Sequence, residues 1–495
     1  MKLRLPILVP RKATEETFKA DIRFKTKASI TPRTVKISEA FGIGTDDEHE
    51  FVIYDDFALE VNRGDIVYIT GDSGSGKSLL LKKLASDLAN GGFGRVIIDR
   101  EIERQIDPEK TLIDQVSEGK DLSEAIKTLS LAGLNEAFLM IRKYPELSDG
   151  QKYRFKLAKM IDSNADVWVM DEFLALLDRT TAKVVAYTIQ KTARKLQKTV
   201  IVATTHTDLD KDLNPNVRIF KHFGFKVDVD YRKVRERPCS LLERIVIEKG
   251  SKEDFRDLEQ FHYRHGMLSL AKDVYRAVLD GKVVGIIIYG PSYPNLSARR
   301  VVLPMFSKKM DSKHLKMINK NFIRIWRVVD PKYRSIGLGI RLVRETLEKV
   351  GYPYVEIMAV MGQYNPFAER AGMVKVPIEL YSNKDAGYVK ALLRIQEMGF
   401  DLDLLRSRRY NLEHISKISR KEFAELKVLS LRYFLGLMHR RKGELVKAIK
   451  RGSKDAVALA LANHRLPYSY AIWKNPKFRH MPDPVKYREC CNVDK

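Results

Sequence analysis

The octapeptide Gly71-Asp72-Ser73-Gly74-Ser75-Gly76-Lys77-Ser78 constrains this chain more than any other feature. It follows the apolar run Ile66-Val67-Tyr68-Ile69-Thr70 and precedes Leu79-Leu80-Leu81-Lys82-Lys83-Leu84, so the sequence predicts a buried strand, a glycine-rich turn and a helix. Glycines let successive backbone N–H groups point into one concavity, where they and the helix N-terminus hold phosphate oxygens. Gly71, Ser73, Gly74, Ser75 and Gly76 form that expected cradle for ATP. Lys77 is expected to reach the β- and γ-phosphates, and Ser78 to ligate Mg²⁺.

A second apolar run, Val167-Trp168-Val169-Met170, ends in Asp171-Glu172. This order places Asp171 to hold Mg²⁺ and Glu172 to polarise the attacking water. With Leu147-Ser148-Asp149-Gly150-Gln151, the chain resembles the ABC ATPase superfamily over about residues 30–230, Asp149 replacing the first glycine of the family signature. The resemblance implies that Ser148, Gly150 and Gln151 contact nucleotide and that Asp178, in Ala175-Leu176-Leu177-Asp178, belongs to the D-loop. It also implies that His206 contacts the γ-phosphate and that Gln105 is the Q-loop glutamine near the metal, with Gln115 as the alternative. Phe41 is the implied adenine-stacking residue if a short insertion through Asp46-Asp47-Glu48 is allowed.

In that family the signature of one subunit covers ATP held by the phosphate loop of the other, so one set of motifs implies a homodimer closing on two ATPs. Phe173 stands where transporter members usually have proline. No stretch reaches the roughly 18 consecutive apolar residues that a membrane span needs, and the stretch between Lys77 and Ser148 is too short for long coiled-coil arms. Three cysteines, Cys239, Cys490 and Cys491, make no disulfide framework and fit a reducing cytoplasm.

At 495 residues the chain is expected to form about three domains: an ATPase domain over 1–235, a second over 240–380 and a basic helical region over 381–495. Lys and Arg number 89 against 64 Asp and Glu, a net charge of +25 that favours a polyanionic partner such as DNA or RNA. The excess concentrates in Arg406-Ser407-Arg408-Arg409, His439-Arg440-Arg441-Lys442 and Lys447-Ala448-Ile449-Lys450-Arg451, with Tyr410, Tyr433 and Phe434 interleaved either to stack or to pack.

The middle segment predicts a strand over Leu241 to Ile247, an amphipathic helix from Lys252 to Tyr263 and a hairpin turning at Asp280-Gly281. Then Arg334-Ser335-Ile336-Gly337-Leu338-Gly339 opens a helix, a second device for holding a pyrophosphate on bare amides. With Asn365-Pro366-Phe367-Ala368-Glu369-Arg370-Ala371-Gly372-Met373, it resembles the GNAT acyltransferase family over about residues 240–380. That implies an α+β domain with acetyl-CoA or another acyl-CoA held by Arg334, Ser335, Ile336, Gly337, Leu338, Gly339 and Asn365. Ala368 replaces the family's thiolate-protonating tyrosine, leaving Tyr364 or Tyr333 to substitute. An N–H near Val328 or Val329 is the expected oxyanion donor, with His262, His265 and Glu356 as candidate bases.

Phe261-His262-Tyr263-Arg264-His265-Gly266 and Tyr289-Gly290-Pro291-Ser292-Tyr293-Pro294-Asn295 resemble the Mom-like branch, whose phage prototype modifies adenine in DNA. The expected activity is therefore an ATPase coupled to acyl transfer onto nucleic acid, on an extruded or single-stranded base. The alternatives are acylation of a protein or small-molecule amine, and an ATP-gated nucleic-acid clamp with a non-catalytic GNAT module.

Overall fold

A computed structural model describes residues 16–26, 29–44, 49–261, 269–306, 311–381, 386–434, 442–463 and 468–485. His262, His265, the Asp46–Glu48 insertion, Arg440 and Arg441 lie outside them. The chain forms two compact units, one comprising Met1–Gly290 with Ile325–Val350, the other Pro291–Arg324 with Gly351–Lys495.

In the first unit, β1 (Glu16–Thr26) and β2 (His49–Val61) pair antiparallel beside a six-stranded sheet. That sheet contains β3 (Ile66–Gly71), β4 (Val96–Ile98), β5 (Val167–Met170), β6 (Thr199–Ala203), β7 (Val217–Lys221) and β8 (Val227–Tyr231), in the order β4-β5-β6-β3-β7-β8. All neighbours are parallel except β7 and β8. Strands β3, β5 and β6 are buried along their whole length, because both faces of a parallel sheet are covered and continuous apolar runs replace alternation. The helices Lys77–Asn90, Asp149–Asp162 and Arg179–Leu196 bury their apolar residues in the cores formed around this sheet. The loops after β3, β5 and β6 therefore emerge at one edge, the carboxyl ends of parallel strands, where open α/β sheets bind ligands.

The same unit continues through β9 (Val246–Lys249), β10 (Asp273–Leu279) and β11 (Lys282–Pro291), consecutive and antiparallel, with β12 (Phe322–Val329) following β11 in the sheet order. The hairpin turns at Asp280 (φ 51°) and Gly281 (φ 77°), as its sequence predicts. Upstream the expectation fails in detail. Ser240–Arg244 is a short helix that precedes β9, and Glu253–Phe255 and Arg256–Glu259 are only single turns within the predicted long helix.

The second unit contains β13 (Tyr354–Ala359), β14 (Val374–Val376) and β15 (Ser469–Lys474). β15 pairs antiparallel with both of the others. The carboxyl-terminal segment thus adds a strand to the expected helices, which run over Ala386–Glu397, Arg408–Ile415, Arg420–Tyr433, Lys442–Lys450 and Lys454–Leu461 around their own apolar core. Phe434 is buried in that core, and Tyr410 and Tyr433 are partly buried against it, so the interleaved aromatics pack.

Candidate functional site

The turn between β3 and the helix Lys77–Asn90 needs its glycines. Gly71, Gly74 and Gly76 all have positive φ, and a Cβ on Gly71 would stand 2.0 Å from the Lys221 carbonyl oxygen. Lys77 is buried and its Nζ donates to the Gly71 carbonyl at 3.0 Å, which bends the side chain back over the loop. Burial also holds its pKa below the ordinary lysine value. Ser73 and Gly74 are exposed, and the buried Ser75 hydroxyl has no hydrogen-bond partner.

Ser78 lies in the first turn of that helix, and its hydroxyl donates to Asp171 Oδ1 at 3.0 Å. A hydroxyl and a carboxylate so placed supply hard oxygen ligands of the kind Mg²⁺ takes, so the donor set fits the metal. Glu172 follows in a left-handed conformation (φ 50°), its N–H held by Asp171 Oδ1 at 3.0 Å and its side chain exposed. His206 emerges after β6, half-buried, its pKa pushed down by burial and by the nearby Arg179 guanidinium. Its carbonyl accepts the Tyr68 hydroxyl.

Other expected residues take different places. Gln105 ends an exposed turn, Glu103–Gln105, and Arg100 from the same segment meets Asp171 Oδ2 at 3.4 Å. Gln115 is buried, binding the Asp107 N–H at 2.8 Å and the Lys110 carbonyl at 3.0 Å, a loop-closing role. Phe41 is 75% exposed at the end of the helix Pro32–Phe41.

Ser148 caps the helix Asp149–Asp162, and the Gln151 side chain folds back to accept its N–H at 3.0 Å. Gly150 sits where a Cβ would be 3.2 Å from Leu177, seating the signature on the segment that leads to Asp178. Asp178 caps the helix Arg179–Leu196 through the Thr181 N–H (3.1 Å) and also accepts from Lys332 Nζ at 3.4 Å. Ser148, Gly150, Leu177, Asp178, Pro331 and Lys332 share a cleft of about 280 Å³.

Residues 54–175 match the family model described as ABC transporter. They are an ABC-type ATPase domain. The spermidine/putrescine import ATP-binding protein PotA of Mannheimia succiniciproducens is 27% identical over 217 residues, 39% of this chain and 58% of that protein. The aliphatic sulfonates import ATP-binding protein SsuB 3 of Rhodococcus jostii is 28% identical, covering 46% of this chain and 83% of its own length. The chain spans about half to three fifths of the length of the first curated relatives it matches. Among solved structures, the dimeric bacterial ABC transporter cassette MJ0796 is 18% identical, covering 37% of this chain and 92% of that one at a TM-score of 0.31. No helix among the described residues is long and apolar enough to cross a membrane.

Beyond the ABC-type domain, the proposed CoA cradle is differently occupied. The helix Leu338–Thr346 does start after Gly337 (φ 95°). However, the buried Asp330 carboxylate backs onto that start: a Cβ on Gly339 would lie 3.0 Å from its Oδ2, which has no hydrogen-bond partner. Burial pushes the Asp330 pKa up while Arg334, 3.6 Å away, opposes the shift. Arg334 also donates to the Asn135 carbonyl at 2.9 Å, on the ABC-type domain. Ile336 and Leu338 are buried, and Ser335 has an unpartnered hydroxyl. A pyrophosphate at this helix start would have the buried Asp330 carboxylate close behind it, and its expected arginine is engaged with Asn135 and Asp330. The residues present do not fit CoA in the expected manner.

The acyl-transfer candidates fare similarly. Burial pushes the Tyr333 phenol up to about 12. Tyr364 and Asn365 belong to the second unit, Tyr364 half-buried and Asn365 bonded through its backbone to Met361 and Phe367. Glu356, also in the second unit, is fully buried. Arg299 holds it at 2.7 and 3.1 Å and the Tyr470 hydroxyl at 2.9 Å. A carboxylate so saturated packs the fold and has no free edge with which to take a proton, which corrects its place among the candidate bases.

Proposed function

We propose that the chain is an ATP-hydrolysing, homodimeric ABC-type ATPase in the cytoplasm whose closure on two ATPs gates a nucleic-acid clamp, with the GNAT-like segment as a non-catalytic module. The observation that carries the ATPase part is the Ser78–Asp171 pair, seated between the phosphate loop and Glu172. Lys77 and the loop amides bind and orient the phosphates. Bound Mg²⁺ would neutralise the β- and γ-oxygens, held by Ser78 and Asp171. Glu172 orients a water whose oxygen bonds to the γ-phosphorus as the bond to the bridging oxygen breaks. ADP leaves with that electron pair, and the water's proton passes to the carboxylate and on to solvent. His206, kept neutral by its low pKa, donates to the γ-phosphate.

The acyl-transfer reading rests on the resemblance of Arg334 to Gly339, and no step is assigned to it because the Asp330 carboxylate lies close to that helix start and Arg334 is engaged with Asn135. The nucleic-acid partner is supported by the +25 charge and by exposed Lys447, Lys450 and Arg451 along the edge of the helix Lys442–Lys450. The test pairs calorimetry with mass spectrometry. ATP binds and is turned over, acetyl-CoA gives no heat, and nucleic acid from expressing cells carries no new nucleoside. Heat with acetyl-CoA and a modified base that disappears in Gly337→Asp would restore the acyltransferase.

A further inference from the structure

Strands β4 and β5 run parallel with Ile98 opposite Val169, so the segments that leave their carboxyl ends, Asp99–Ile102 and Asp171-Glu172, start side by side. Across them the side chains of Arg100 and Asp171 meet at 3.4 Å. The adjacent strand ends thus bring a guanidinium to the carboxylate that also accepts Ser78, whereas Gln105 is five residues further on, in an exposed turn. Asp99, the residue before Arg100, is buried and fixes the start of the short helix Asp99–Ile102 on the core side of the site. The Arg100 side chain itself is 64% exposed, so it is free to swing, and the buried Asp171 carboxylate that it leaves keeps the Ser78 hydroxyl and the Glu172 N–H as donors.

On the ATPase reading above, we propose that Arg100 contacts the γ-phosphate of ATP and is a catalytic residue, in the role that sequence assigns to Gln105. A guanidinium is always charged and offers a planar fork of donors matched to a phosphate edge, so two bonds to the γ-oxygens outweigh one long contact with Asp171. The charge would stabilise the spreading negative charge of the transferring phosphoryl group, a contribution that other NTPases draw from an arginine at about 10³-fold or more in rate. ADP has no γ-phosphate, so the residue would also distinguish the two nucleotides.

The test compares Arg100→Ala, Arg100→Lys and Gln105→Ala in the full chain by fluorescent-nucleotide titration without Mg²⁺ and by steady-state turnover with it. Arg100→Ala is expected to weaken a non-hydrolysable ATP analogue about tenfold while leaving ADP within about twofold, and to lower kcat about 10³-fold. Arg100→Lys should regain part of the ATP preference and little of the rate, since a point charge lacks the fork. Gln105→Ala should leave all of these within about threefold of wild type. Equal loss of ATP and ADP affinity in Arg100→Ala would mean a structural role and overturn the proposal, as would a Gln105→Ala enzyme that is the slow one. A wild-type chain that neither binds nor hydrolyses ATP would instead remove the ATPase reading and this one with it.

Discussion

Gly71 has no room for a methyl group, because the atom it would strike is a backbone carbonyl of the adjacent strand, which cannot rotate away. Gly71→Ala should lower stability by about 1–3 kcal/mol in urea melts and abolish ATP binding, since relief of the clash must shift the loop. Glu172→Gln keeps shape and loses charge, so turnover should fall roughly 10²- to 10⁴-fold with ATP affinity retained. If hydrolysis persisted, another group would be orienting the water. Asp99 offers a pH test: burial raises its pKa to about 6. A carboxyl that holds its proton more tightly when folded stabilises the fold below the unfolded value near 4, and that contribution is lost as pH rises to about 6. Asp99→Asn should remove a difference on the order of 2 kcal/mol across that window, measured as the change in unfolding free energy between pH 4 and pH 7. The phosphate-loop residues were readable in sequence because neighbours along the chain build the site. Arg100 and Asp330 were not, because the pairing of β4 with β5 brings the segment of the first beside Asp171 and tertiary packing buries the second.

The hairpin β10–β11 was the most legible element, since Asp280-Gly281 supplies both left-handed residues that a two-residue turn requires. β15 was the least legible. Its sequence Ser469-Tyr470-Ala471-Ile472-Trp473-Lys474 follows a run of helices, and its partners lie about 100 residues back, a pairing that no local pattern announces. Its Tyr470 completes the shell around Glu356, so the strand and the buried Arg299–Glu356 pair are mutually dependent. Arg299→Leu alone should destabilise the protein by about 3–5 kcal/mol by stranding a buried carboxylate, whereas Arg299→Leu with Glu356→Leu should recover much of that loss in the same melting experiment. Failure of the double variant to recover would mean that the hydrogen bonds to Ser292 and Tyr470 matter more than the charges.

The chain carries a single phosphate loop and a large positive charge, and both bear on how it is proposed to assemble. With Glu172→Gln and ATP, sedimentation should register a dimer that ADP does not support. Replacing Lys447, Lys450 and Arg451 by Ala should weaken nucleic-acid binding and flatten its salt dependence by about one unit of slope per lost phosphate contact. The contact between Lys332 and Asp178 links these two behaviours. In the proposed closing pair the segments at Asp178 and Ser148–Gln151 would greet a second subunit, yet here their cleft already houses Pro331 and Lys332 of the same polypeptide. On the proposed dimer closure, each ATP cycle would either displace that tenant or carry it along, and in both cases the work done at the nucleotide would be felt directly by β12 and the helix that follows it.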